Sequence, residues 1–229
     1  MSRPKSATAE HVIGDAEAPP EREIVKTERI TIRPPQTQVH MYELVSRTCY
    51  TSNKFSQEAF DQMRTAQAEG QRSKNVKKLG KKDFKRAALG SAHMSTDGWY
   101  GIPTEAFRAA LIDACRLTQT KMTVAKMTIF IEPDGEDLAG VGLVRIIGPK
   151  PRQVVHPVRN QNGSCDLRAR MQWPKWGVKL KVEFDSEQFT STDIANLIAH
   201  AGRGIGVGAG RPFSKMSSGM NWGRWTLKS

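Results

Sequence analysis

The order of segments along the chain predicts an α+β fold, and three observations carry the prediction. "GVKLKVEFD" sets Val178, Leu180, Val182 and Phe184 in strict alternation with lysines and Glu183, the pattern of a strand with one buried face. Two other stretches, "TEAFRAALIDACRL" and "TSTDIANLIAHAG", repeat apolar residues at helical spacing. Between and after these helices lie several strand-like segments rather than one strand per helix, which disfavours a parallel α/β sheet.

Taken in order, the opening residues "MSRPKSATAEHVIGDAEAPPERE" are rich in Pro, Ala, Glu and Ser and have no apolar stretch. They read as a disordered arm over residues 1–24 rather than a secretory signal. Residues 25–229 then form a single domain. "EIVKTERITIRP" alternates Ile30 and Ile32 and ends on Pro34 and Pro35, as a first strand would. "VHMYELVSRTCYTS" fits a second strand or a connection equally. "SQEAFDQMRTAQA", Ser56–Ala68, has a serine cap followed by Glu58 and a narrow face of Phe60, Met63 and Gln67, and reads as a helix.

Residues 71–90 follow as a basic insertion. Within "QRSKNVKKLGKKDFKR" there are eight cations and one carboxylate and no sustained apolar period, so a loop is expected. Eight like charges held close repel one another unless an anion neutralises them.

"GWYGIPTEAFRAALIDACRL" carries the clearest helix. Ile102 and Pro103 force an extended approach, Thr104 is the expected N-cap, and Phe107, Ala110, Leu111, Ala114 and Cys115 line one face. Arg108 and Arg116 fall off that stripe. "MTVAKMTIFIEP" reads as a strand ended by Pro133 and an exposed acidic tip, "DGED". "GVGLVRIIGPKPRQVV" gives another strand with a Gly-Pro break, and "DLRARMQWPKWGVKLKVEFD" gives two strands around Pro174. The second helix is capped by Thr192 or Ser191, buries Ile194, Leu197 and Ile198, and stops at Gly202. "WGRWTL" is a final short strand. This order suits a ferredoxin-like or RRM-like antiparallel sheet with helices on one face.

The net charge of +12 points to nucleic acid as the partner. The three cysteines, Cys49, Cys115 and Cys165, are too few and scattered for a disulfide framework or a zinc site, in keeping with a reducing cytoplasm. No apolar run reaches the roughly 18 residues of a membrane span. No glycine fingerprint follows a strand and no Walker lysine is present, so no nucleotide cofactor is expected. No acidic pair has the spacing to hold a metal.

The strongest functional signal lies near the end. "GRGIGVGAGRP" places glycine at 202, 204, 206, 208 and 210, which bares one side of the backbone for close approach by a phosphate or another chain. Arg203, Arg211, Lys215 and Arg224 surround it, and Phe213, Trp222 and Trp225 offer stacking planes. Basic groups interleaved with aromatics are what single-stranded nucleic-acid sites use. A tight turn with tryptophans packed on the core is the competing reading, and Trp225 fits either.

Two stretches carry a resemblance. "YGIPTEAFRAALIDACR" resembles the Ile-Pro-Gly-Ser-Ser-x-Lys-Gly-x-x-Arg helix opening of the RAMP superfamily, the RRM-fold proteins of CRISPR effector complexes. "GIGVGAGRPFSKMSSGMNWGRWTL" resembles the same superfamily's C-terminal glycine-rich loop. Over nearly all of Lys26–Leu227 the chain is also similar to a phage-encoded family of undefined function. That family has a "YGIPxxAFK"-like helix opening, a "DLRYRPEF"-like strand and a "VGVGEWRPEKxGxFGRF"-like ending. The RAMP resemblance implies an RRM-like fold and contact with RNA or single-stranded DNA. Thr104 and Glu105 depart from its small residues, and Glu105 would repel a phosphate. The superfamily's metal-independent ribonucleases place a general-base histidine near the first helix, where this chain has His40, with Arg47 and Tyr50 close in sequence.

The sequence therefore predicts a non-catalytic protein of the bacterial host cytoplasm that binds single-stranded RNA or DNA, with self-association along the strand as an added expectation. The contacts expected are Lys74, Lys77, Lys78, Lys81, Lys82, Arg108, Arg203, Gly204, Gly206, Gly208, Arg211, Lys215, Trp222 and Arg224. An assembly role in a phage or multisubunit particle, and an endoribonuclease using His40, are the alternatives.

Overall fold

The computed structural model describes residues 36–54, 64, 68, 83–159, 165–213 and 219–228. The chain divides into two units, Met1–Pro34 and Pro35–Ser229, and the described residues all belong to the second. In chain order the elements are β1 (Thr37–Ser46), β2 (Tyr50–Thr51), α1 (Phe84–Gly90), β3 (His93–Met94), β4 (Tyr100–Pro103), α2 (Thr104–Ala114), α3 (Met122–Thr128), β5 (Ile129–Glu132), β6 (Gly135–Glu136), β7 (Gly142–Arg145), β8 (Arg152–Arg159), β9 (Cys165–Trp173), β10 (Gly177–Asp185), α4 (Ser191–His200), a π-helical turn (Ala201–Ile205) and β11 (Trp225–Leu227). The fold is α+β with antiparallel sheets and four helices among the described residues.

The main sheet has the order β11-β1-β10-β5. Its register sets Leu44, Tyr42 and His40 of β1 opposite Val178, Leu180 and Val182 of β10, and Ile131 and Ile129 of β5 opposite Val182 and Phe184. Opposed residues of an antiparallel pair share a face, so one face is apolar and covered. Val178, Leu180, Val182, Phe184, Ile129 and Leu44 are all buried there. Each such side chain contributes about 1.5–3 kcal/mol through burial. Helices α2 and α4 add Phe107, Ala110, Leu111, Ile194, Leu197 and Ile198 to the same core. The other face, with Val39, Met41, Val45, Phe130 and the lysines of β10, is open.

An aromatic cluster joins this core to a second sheet, β2-β9-β8. Tyr50 lies 5.5 Å from Trp173 and 5.8 Å from Trp176, and Trp176 lies 6.4 Å from Trp225. Trp225 also meets Phe107 edge-on at 5.7 Å and is 1% exposed, so of its two readings the structure selects core packing. A third sheet, β3-β4-β7-β6, packs beside β10 through the Ile147–Gly177 bridge.

Several local expectations change. Residues 122–128 form α3, not a strand, and pairing begins only at Ile129, where the Ile129/Ile131 alternation starts. Within α3 the Thr128 hydroxyl is satisfied by the Val124 carbonyl one turn back, at 2.8 Å. Thr104 is already inside α2, and Pro103 stands at the cap with no side-chain bond, its fixed φ matching a helix start. Neither Thr192 nor Ser191 caps α4. Thr190 does, in a reciprocal capping box with Asp193. The expected loop 71–90 ends earlier, because Asp83 accepts from the Lys85 and Arg86 amides and starts α1. "VHMYELVS" belongs to β1. The strand expected over Glu23–Pro34 lies outside the described residues, as does the Ser56–Ala68 helix apart from Arg64 and Ala68.

Candidate nucleic-acid interface

The final glycine loop makes close backbone approaches, and they are to the chain itself. A Cβ at Gly202 would stand 2.5 Å from the Trp225 carbonyl oxygen, one at Gly208 2.4 Å from the Thr51 oxygen, and one at Gly223 1.8 Å from the Val207 oxygen. Gly206, Gly208 and Gly223 also hold positive φ of 73°, 78° and 67°. The Gly206 amide donates to Ala201 O, Val207 to Gly223 O, Ala209 to Thr51 O and Gly223 to Cys49 O. Gly206 and Gly208 are buried, whereas Gly204 is half-exposed and a Cβ there would meet only Leu117 Cδ1, at an ordinary contact distance of 3.6 Å. The loop is a packing device.

What the loop packs onto is a basic face. In β8 and β9, Arg152 opposes Gln172, Val154 opposes Arg170, and His156 opposes Arg168, so these side chains share one side of the hairpin. The loop reaches across that side from Thr51 on β2 to His156 on β8, where the Trp222 ring lies 4.9 Å from the imidazole. Trp222 is half-buried, seated on Gly210, where a Cβ would come within 2.6 Å of the indole.

The arginines of this face are held in defined positions. Arg152 donates twice to Gln172 Oε1, at 3.1 and 2.7 Å, and Gln172 Nε2 donates to Thr51 Oγ1 at 3.1 Å. Arg211 donates to the Gly208 carbonyl at 3.3 Å. Arg168 Nε lies 3.7 Å from Asp166 Oδ2. Arg170 makes one long bond, 3.4 Å, to the Ser52 carbonyl, and no ion pair with a described residue. Burial first, and the neighbouring Arg168 charge second, push Arg170 below the ordinary guanidinium range. Half-buried guanidinium groups side by side favour an anion between them. Nε2 of His156 is buried and has no hydrogen-bond partner, so this face also holds an unsatisfied polar atom.

Of the remaining expected contacts, Arg203 is exposed, its carbonyl accepting from Arg224 Nε at 2.8 Å, and Arg224 also donates to Asn221 Oδ1 at 2.9 Å. Arg108 stands apart. It donates to the Ile129 and Lys126 carbonyls and stacks 4.9 Å over Phe130, at the β5 edge of the main sheet, opposite the β11 edge. Lys74, Lys77, Lys78, Lys81, Lys82 and Lys215 lie outside the described residues. His40 packs against Phe184 at 5.4 Å on the covered face of β1.

A second polar cluster corrects the reading of "DGED" as an exposed tip. Asp137 is 3% exposed. Its Oδ2 accepts from Lys54 Nζ at 3.0 Å and pairs with His93 Nδ1 at 3.1 Å, while Oδ1 accepts the Ala139 and Val141 amides. Burial alone would push this carboxyl up, but the bonds from His93, Lys54 and the two amides outweigh it and hold it far below the usual range. A carboxylate with four donors is saturated and clamps its hairpin rather than binding a ligand. No group of three or more metal-ligating side chains occurs among the described residues, and no helix among them is long and apolar enough to cross a membrane.

Sequence reasoning missed Arg152, His156, Arg168 and Arg170. The signal was present as "RQVVHPV" and "LRARMQ", two alternating segments whose polar sets meet only once the hairpin register is known. The chain matches no protein-family model and has no match among curated proteins.

Proposed function

We propose that this protein binds single-stranded nucleic acid, without catalysis, on the Arg152–Arg168–Arg170 face and the adjoining Trp222 edge. The observation that carries the reading is the half-buried Arg170, adjacent to a like charge and beside a His156–Trp222 pair. Phosphates neutralise the arginines and a base stacks on the indole. Arg211, Arg203 and Arg224 extend the track along the loop.

The order β11-β1-β10-β5 with α2 and α4 crossing between its strands supports a ferredoxin-like, RRM-like core. The basic insertion before α1, the resemblance to RAMP and phage-encoded proteins, and residence in a bacterial host cytoplasm belong to the same reading. An endoribonuclease based on His40 is disfavoured by the packing of that ring on Phe184.

The test is fluorescence anisotropy with labelled single-stranded RNA, single-stranded DNA and duplex across a salt series. Single-strand preference with an affinity that falls steeply with salt supports the reading. Equal affinity for duplex, or no binding at low salt, refutes it.

A further inference from the structure

Thr51, Gln172 and Arg152 form one transverse row across the sheet β2-β9-β8, each opposite the next in the register. Opposed residues of antiparallel strands share a face, and alternate residues of one strand do too. The row therefore lies on the same side as Arg170 and Arg168. It runs from the interior to the surface. Thr51 is 0% exposed and Gln172 3%, whereas Arg152 at the outer end is exposed.

The bonds fix the orientation of the row. An arginine can only donate, so the amide must turn its oxygen to Arg152 and its nitrogen to Thr51. Oε1 accepts from Arg152 Nε at 3.1 Å and Nη2 at 2.7 Å, and Nε2 donates to Thr51 Oγ1 at 3.1 Å. Burying an amide is unfavourable unless both its ends are bonded, and here both are. Gln172 thus has one place, and it gives Arg152 one place.

Gln172 does this without neutralising the arginine. Lys54, Lys181 and Lys228 are each held by a carboxylate, Asp137, Asp134 and Glu43. The Gln172 amide carries no charge, and Arg152 makes no ion pair with a described residue. Two of the five guanidinium N–H donors face Gln172, and the others are left for a ligand. A cation ordered in advance and still fully charged binds an anion without the cost of ordering a long side chain at that moment.

We propose that Gln172 is a positioning residue of the arginine face, fixing the Arg152 guanidinium for a backbone phosphate of the bound strand while leaving its charge uncompensated. The inference rests on the nucleic-acid reading of this face and adds a buried residue that touches no ligand.

The experiment is anisotropy with labelled single-stranded RNA and DNA across a salt series, for the wild type, Gln172→Glu, Gln172→Met and Gln153→Glu, and for both Gln172 changes in an Arg152→Ala background. Gln172→Glu places a carboxylate against Arg152, so affinity should fall about tenfold and the slope of log K against log salt should flatten by about one. Gln172→Met releases the guanidinium but keeps its charge, so affinity should fall about threefold with the slope unchanged. Gln153 is exposed on the other side of the hairpin, and Gln153→Glu, with the same change in net charge, should cost less than twofold. In the Arg152→Ala background neither Gln172 change should cost more. Circular dichroism checks folding, and Gln172→Met decides the matter by itself if Gln172→Glu does not fold.

A wild type with no salt-dependent single-strand binding removes the nucleic-acid reading and this inference with it. A wild type that binds, beside Gln172 variants that match it in affinity and slope, overturns this inference alone. So does an undiminished loss in the Arg152→Ala background, which would make Gln172 merely structural. Equal losses in Gln172→Glu and Gln153→Glu also overturn it, since binding would then follow net charge.

Discussion

Lys54 and Asp137, 83 residues apart in sequence, meet at 3.0 Å, and the same carboxylate oxygen receives His93 at 3.1 Å. Lys54 follows β2 and His93 opens β3 just beyond α1, so one buried carboxylate ties the ends of these two strands to the β6–β7 hairpin. Asp137→Ala removes the acceptor of four donors and leaves Lys54 unpaired. Breaking a buried charge cluster from one side costs about 3 kcal/mol. The expected fall in Tm is on the order of 10 °C, read by calorimetry.

The same cluster sets the acid limit of the fold. Burial first, and the Lys54 charge, lower His93 below its ordinary value despite the Asp137 bond that pulls it up. A histidine held neutral in the folded state loses stability as pH falls through about 6.5, where the unfolded chain takes its proton. Asp137, depressed when folded, contributes fully above about pH 4, and that contribution is lost as pH falls from there through its folded value. Tm against pH should therefore fall in two stages. His93→Gln should abolish the upper stage and keep the lower, and an unchanged profile in that variant would remove His93 from the account.

Glycines of the final loop should divide by what they touch. Gly223 has φ of +67° and a Cβ there would collide with the Val207 backbone, so Gly223→Ala should cost about 3 kcal/mol or more in urea unfolding. A Cβ at Gly204 would make only an ordinary 3.6 Å contact with Leu117 and its φ is not positive, so Gly204→Ala should stay within about 1 kcal/mol of the wild type. Equal costs at the two positions would contradict the packing role of the loop.

The parts of the molecule legible beforehand were those governed by short-range periodicity. The β10 alternation and the apolar stripe of α4 follow from burial on one side, and both appear where expected. The face of the β8–β9 hairpin was not legible, because Arg168 and His156 become neighbours only through a register set by pairing from Arg152–Gln172 to Arg159–Cys165. Asp137 escaped for a related reason. Within "EPDGED" nothing distinguishes it from its acidic neighbours, and its partners Lys54 and His93 come from distant segments. The glycine spacing points to close backbone approach, but what approaches Gly206 and Gly208, namely Pro212, Trp222 and Tyr50, is a property of the tertiary fold.

The arginine face makes the sharpest contrast among cations. Arg170 is half-buried without a carboxylate, whereas Arg108 is satisfied by two carbonyls and the Phe130 ring. If phosphate is the missing partner of Arg170, Arg170→Ala should weaken single-strand binding by about tenfold, or about 1.4 kcal/mol, for every sequence alike. The slope of log K against log salt should flatten by about one, the signature of a lost phosphate contact. Arg108→Ala should leave affinity and slope unchanged and lower Tm instead, since its bonds tie α2 to the β5 edge. Anisotropy and thermal unfolding on the two variants separate these roles, and equal loss of affinity in both would mean that binding follows net charge rather than the hairpin face.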